Sequence, residues 1–175
     1  MDYQWNIYQS TPEEQDLRKR LAEELRISEI SAGLLTVRGI TSREEASRYV
    51  HPSMDDLHDP FLMRDMDKAV ERLNNAVSRG EKILVYGDYD VDGTTAVALT
   101  FHVLSQWTNK LEIYIPDRYT EGYGISYKGI DYAVEKGCTL IVALDCGIRE
   151  HQKVAYATEK GIDCIICDHS AAAPS

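Results

Sequence analysis

Lys82-Ile83-Leu84-Val85-Tyr86-Gly87-Asp88-Tyr89-Asp90-Val91-Asp92-Gly93-Thr94-Thr95 is the stretch on which the fold turns. Lys82 to Tyr86 is an unbroken apolar run without polar alternation, the pattern of a parallel strand buried on both faces. Acids and glycines follow, and then Thr94 to Trp107 reads as a helix. Downstream the same alternation repeats. Leu111 to Ile115 is a second strand, and Ser126 to Lys136 a helix set between a Gly-rich loop and Gly137. Thr139 to Leu144 is a third strand, Ile148 to Lys160 a helix, and Asp163 to Cys167 a fourth strand. A β-α-β-α-β-α-β run predicts an α/β fold: a parallel β-sheet with helices on both faces.

Upstream the period changes to that of helices. Thr11-Pro12-Glu13-Glu14 supplies an N-cap, a proline at the first helical position and acids in the first turn, with Leu17, Leu21 and Leu25 repeating behind it. Ser31 to Val37 reads as a short helix ended by Gly39. Thr41-Ser42-Arg43-Glu44-Glu45 opens another with capping-box chemistry, ended at His51-Pro52. Pro52 to Pro60 is a loop, and Met66 to Arg79 an amphipathic helix closed by Gly80. The expected organisation is a helical N-terminal lead-in over 1–80 and an α/β domain over 81–170. Ala171-Ala172-Ala173-Pro174-Ser175 reads as a non-native or truncated tail.

Composition narrows the function. The 175 residues are 43% hydrophobic, enough for a packed core. A net charge of −10 excludes a simple electrostatic DNA-binding module, which is basic, and suits an enzyme whose carboxylates hold metal ions. It also suits a fragment whose basic parts lie elsewhere. No apolar stretch reaches membrane-spanning length, so no membrane partner is expected. The start, MDYQWNIYQSTPEEQ, lacks the basic and apolar segments of a signal peptide, so the expected location is cytoplasmic. Cys138, Cys146, Cys164 and Cys167 are then reduced thiols. Cys164 and Cys167 have C-x-x-C spacing, but on a strand that spacing points them to opposite faces, and no second pair completes a zinc site.

In open α/β sheets ligands bind beyond the carboxyl ends of the strands. There the sequence places Asp88, Asp90 and Asp92 after the first strand, Asp145 after the third, and Asp168-His169 after the fourth. Such acids can cap the helices that follow them. Three aspartates at alternating positions, however, repel one another unless cations neutralise them. Carboxylates with one imidazole suit Mg2+ or Mn2+, and two such ions can bridge a nucleophilic water and a phosphoryl oxygen, which is phosphate-ester hydrolysis. An EF-hand reading of Asp88-x-Asp90-x-Asp92-Gly93 fails because its twelfth position is Leu99. A haloacid-dehalogenase-type phosphatase, with Asp90 as nucleophile and Asp92 as acid/base, is an alternative. The later strand ends LDCG and CDHS match it poorly. No G-x-G-x-x-G follows a strand, which excludes a dinucleotide site.

GDYDVDGTTA, LDCG and DH at successive strand ends resemble the first three motifs of the DHH phosphoesterase superfamily. LLTVRGITSREEASRYVHP, DPFLMRDMDKAVERL and IPDRYTEGYGIS resemble flanking segments of its RecJ-type exonuclease branch, over about Trp5 to His169. That makes 81–170 a partial DHH domain. The resemblance implies metal-dependent 5′→3′ hydrolysis of single-stranded DNA in repair and recombination. It assigns Asp90, Asp92, Asp145 and His169 as catalytic metal ligands, with Asp88 among the ligands and Asp168 orienting the imidazole. Arg118, Tyr123 and Gly124, in the loop facing the same sheet edge, are candidate nucleic-acid contacts, with a purely structural loop as the equal alternative. His51, His58, His102 and His151 fall outside this set. The family motif carries a second His where Ser170 stands, so the chain alone is expected to be a weak nuclease or none. Other DHH phosphodiesterases, acting on oligoribonucleotides or cyclic dinucleotides, and a non-catalytic binding domain are the remaining alternatives. No residue pattern names a protein partner.

Overall fold

The computed structural model describes Gln4 and residues 9–169. Trp5, Ser170 and the 171–175 tail, which figured in the sequence reading, lie outside the described residues. The chain divides into two compact units between Leu62 and Met63.

The first unit is helical: α1 (Pro12–Leu25), α2 (Glu29–Val37) and α3 (Arg43–Val50), followed by two short 3-10 turns, Met54–Asp56 and Pro60–Leu62. Thr11 and Ser42 each form a full capping box, with Glu14 and Glu45 returning the hydrogen bond. α2 begins ahead of the expected Ser31 because the Ser28 hydroxyl accepts the Ser31 N–H and caps the helix there. Leu21, Ala22, Ala32, Leu35 and Ala46 form the core of this unit.

The second unit holds α4 (Met66–Ser78), β1 (Ile83–Gly87), α5 (Val91–Leu104), β2 (Leu111–Tyr114), α6 (Tyr127–Lys136), β3 (Leu140–Leu144), α7 (His151–Glu159) and β4 (Asp163–Cys167). The sheet order is β2-β1-β3-β4, with every neighbouring pair parallel. β1 and β3 are buried throughout, as their unbroken apolar runs require. Alternate residues feed two cores. Leu84, Tyr86, Ile141 and Ala143 meet Ile130 and Ala133 of α6 and Ala157 of α7. Ile83, Val85, Leu140 and Val142 meet Ala76 of α4 and Val97 and Leu104 of α5. Helices therefore cover both faces. α4, helical in pattern like the lead-in, packs on the sheet. On β4, Cys164 faces the first of these cores while Cys167 is exposed, and all four cysteines are free thiols.

At the amino ends of the strands, Arg72 of α4 clamps the sheet. Its Nη2 lies 2.7 Å from Glu81 Oε2 and its Nε 2.6 Å from Asp163 Oδ2, while the Thr139 hydroxyl donates to Glu81 at 2.7 Å. The hydrogen bond from Thr139, with that from Arg72, holds the Glu81 carboxyl below its usual 4.5. A depressed carboxylate stabilises the fold above its unfolded pKa, and that stability is lost as pH falls through the folded value. Glu81→Gln should therefore cost about 1–2 kcal/mol at neutral pH. Its deficit against the wild type should shrink in acid, as measured by urea unfolding at both pH values.

Candidate functional site

The register fixes where the acids emerge. Gly87 of β1 pairs with Leu144 of β3, and Leu144 with Cys167 of β4. The next residues, Asp88, Asp145 and Asp168, therefore leave three adjacent strands side by side. The order β2-β1-β3-β4 makes the gap between β1 and β3 the point at which successive connections run to opposite sides, the place where such sheets bind ligands.

After β1 the chain turns sharply. A Cβ on Gly93 would lie 2.5 Å from the Asp88 carbonyl oxygen and 2.7 Å from its nitrogen, so the first turn of α5 rests directly on the strand end. α5 starts at Val91, not at the Thr94 expected from the pattern, because Asp90 is its N-cap: Asp90 Oδ1 accepts the Gly93 N–H at 2.9 Å. Asp92 then sits exposed in the helix's first turn. Asp88 is 1% exposed, and neither of its carboxylate oxygens receives a hydrogen bond of good geometry. Burial pushes its carboxyl up. The N–H groups of Tyr89 and Gly124 offset this only partly, Asp90 adds to it and Arg118 opposes it.

Asp145 takes a left-handed backbone, φ 59°, unusual for a residue with a side chain. Its carbonyl accepts the Tyr123 hydroxyl at 3.2 Å, and its Oδ1 lies 3.3 Å from His169 Nε2. Burial raises its carboxyl, as do Asp90, Asp92 and Asp168, against the lowering effect of His169. Asp168 accepts the Ile148 N–H at 3.1 Å and so fixes the turn after β3. Cys146, buried beneath these acids, has its thiol pushed up to about 12, by burial first and then by Asp88, Asp168 and Asp145.

These mutual influences place Asp88, Asp90, Asp92, Asp145, Asp168 and His169 on one patch. Tyr123 borders it: burial, then Asp168, Asp88 and Asp145, raise its phenol. Arg118 lies over the Tyr89 ring, 5.2 Å from its centroid. Gly124 presents its N–H toward Asp88 and its carbonyl to the Tyr86 hydroxyl. His102 on α5 and His151 on α7 are exposed on helix surfaces, and His51 and His58 belong to the first unit. Among the described residues, no three His, Cys, Asp or Glu side chains converge closely enough to grip a metal ion as they stand. The donor chemistry nonetheless suits a hard divalent cation. The set is carboxylate oxygens with one imidazole, and it includes the buried Asp88 carboxylate, which no hydrogen bond of good geometry satisfies.

Sequence reasoning missed two residues that hold the border of this patch, Tyr86 and Glu121. A tyrosine inside a buried strand run was the available signal, because its hydroxyl has to find a partner. Here it meets Gly124 and Ser126.

The DHH family, N-terminal domain, matches residues 82–175. The chain is 39% identical over 161 residues to the single-stranded-DNA-specific exonuclease RecJ of Bacillus subtilis (strain 168), covering 92% of this chain and 20% of that protein. It is 36% identical to the Escherichia coli (strain K12) protein of the same name, covering 78% and 23%. The chain thus spans between a fifth and a quarter of these relatives. A crystal structure of exonuclease RecJ bound to manganese superposes with a TM-score of 0.60 at 30% identity, over 65% of this chain and 29% of that one. RecJ in complex with Mn2+ from Thermus thermophilus shares the fold, with a TM-score of 0.62 at 22% identity over 91% and 22%.

Because the Gly93 contact is with backbone, little can give way. Gly93→Ala should destabilise the chain by about 1–3 kcal/mol, read from the midpoint of urea unfolding, while Thr95→Ala on the exposed side of the same helix should change it little.

Proposed function

This chain belongs to the DHH family, and on that premise we propose that its strand-end acids serve a RecJ-type exonuclease. Its reaction is hydrolysis of single-stranded DNA from the 5′ end, in the cytoplasm, during repair and recombination. The observation that carries this reading is the level exit of Asp88, Asp145 and Asp168 from β1, β3 and β4. Among the described residues no helix is long and apolar enough to cross a membrane.

Asp90, Asp92, Asp145 and His169 would hold manganese or magnesium, with the buried Asp88 carboxylate as a further donor. When bound, two divalent ions supply an activated water and polarise the phosphoryl oxygens. The residues of the chain do the rest. Asp168 keeps the β3 turn in place through the Ile148 amide, which holds Asp145 next to His169. The Arg118 cation lies on the same border as the Tyr123 hydroxyl and the Gly124 backbone, and these three groups would meet the DNA backbone. A chain carrying a net charge of −10 needs such local cations to accept a polyanion at all.

Asp90 allows a clean test, because asparagine caps a helix as well as aspartate does but carries no charge. Asp90→Asn and Asp145→Asn should each lower the manganese affinity of the chain by about tenfold or more in calorimetry, with unfolding midpoints near that of the wild type. In the full-length gene product, Asp90→Asn should slow manganese-dependent digestion of a 5′-phosphorylated single strand roughly a hundredfold or more. Unchanged manganese affinity in both variants would overturn the site. A wild-type full-length product that leaves single-stranded DNA intact would overturn the reaction.

A further inference from the structure

Glu121 lies in the connection from β2 to α6, a surface loop, yet its side chain is only 5% exposed. Its Oε2 accepts the hydroxyls of Tyr114 at 2.8 Å and Ser126 at 2.5 Å, and its Oε1 accepts the Asp117 N–H at 2.9 Å. Lys128 stands 3.6 Å away. Burying a carboxylate is costly, and three donors with a cation are what makes it tolerable. Ser126 is in turn the N-cap of α6, accepting the Gly129 N–H. One carboxylate therefore joins the end of β2, the start of the loop and the start of α6.

A second bracket comes from β1. The Tyr86 hydroxyl donates to the Gly124 carbonyl at 2.9 Å and accepts the Ser126 N–H at 3.0 Å. The rings of Tyr86 and Tyr114 stack at 5.5 Å, which ties the two brackets together. Between them runs Gly122-Tyr123-Gly124, with both glycines at positive φ, 80° and 83°. A segment of this kind has many conformations open to it when free. Here one is selected, and it sets the Tyr123 hydroxyl on the Asp145 carbonyl and the Gly124 N–H toward Asp88.

We propose that Glu121 is a positioning residue for single-stranded DNA. Through Ser126 and Tyr114, and with Tyr86, it holds Tyr123 and Gly124 against the acid patch, where the strand's phosphate backbone is received. The inference rests on the substrate reading above, and the experiment separates the two. Glu121→Gln keeps the volume but replaces one acceptor oxygen with an amide donor, so it cannot accept from both sides of the bracket, and Tyr86→Phe removes the other bracket from a different strand. Three readouts apply: amide hydrogen exchange and calorimetry with manganese alone on the 175-residue chain, and, on the full-length gene product without divalent metal so that no strand is cut, anisotropy of a 5′-phosphorylated single-stranded oligodeoxynucleotide. Both variants should exchange faster at Gly122 to Ser126 while β1 and β3 keep their protection, which shows that the fold is intact. Manganese affinity should stay within about twofold, and oligonucleotide affinity should fall about tenfold. Glu121→Ala should fall further than Glu121→Gln. Unchanged exchange overturns the bracket, and faster exchange with unchanged oligonucleotide affinity overturns the positioning role. A wild-type full-length product that takes up no oligonucleotide overturns the substrate reading itself, and this role with it.

Discussion

The pairing of β1 with β3 and of β3 with β4 in one level register is the constraint on which the rest depends. Parallel strands start and stop together only when their neighbours' hydrogen bonds dictate it, and here Gly87 pairs with Leu144 and Leu144 with Cys167. Whatever follows them emerges at one height. A one-residue slip of β3 would displace Asp145 from that line and invert its buried face, exchanging the residues that meet α6 and α7 for those that meet α4 and α5. The packing that specifies the fold and the alignment that assembles the acids are therefore the same interaction.

The two ends of the sheet contrast in how they treat charge. At the amino ends, Arg72, Glu81, Asp163 and Thr139 satisfy one another, and the Glu81 carboxyl is held below its usual range. At the carboxyl ends, Asp88 and Asp145 are raised, both by burial first and then by neighbouring acids. A protein selected for stability alone would not keep the second arrangement, since buried polar groups are ordinarily paired. Perturbed, under-satisfied acids grouped at a sheet's ligand-binding edge are the arrangement expected of the proposed site. The same chain pairs its carboxylates fully at the other end of the sheet.

Much of this was legible in the sequence, for identifiable reasons. The strands were readable because β1 and β3 are buried on both faces and so have no polar alternation. Their acids were readable because residues just past such runs must lie at the sheet edge. The start of α5 was misplaced because Asp90 looked like part of a loop, when its carboxylate and the side-chain-free Gly93 let the helix begin at Val91. The Tyr86 and Glu121 brackets were not legible. Their partners lie tens of residues away for Tyr86, and for Glu121 in a turn whose shape the spacing of residues does not encode.

Asp90 shows why a structural and a functional reading of one residue need not compete. Capping engages Oδ1 with the Gly93 amide and points the carboxylate along the start of α5, where the helix dipole already favours negative charge. That interaction orients Asp90 while its charge still acts on Asp88 and Asp145. The cap thus supplies the preorganisation that the proposed metal-ligand role would need, and one side chain contributes to both the helix start and the acid patch. Glu121 follows the same logic on the other side of the patch. It is held by Tyr114, Ser126 and Asp117, and through them it holds the loop that borders the acids. In both places a hydrogen bond that stabilises local backbone also fixes the geometry at the sheet edge where the acids gather.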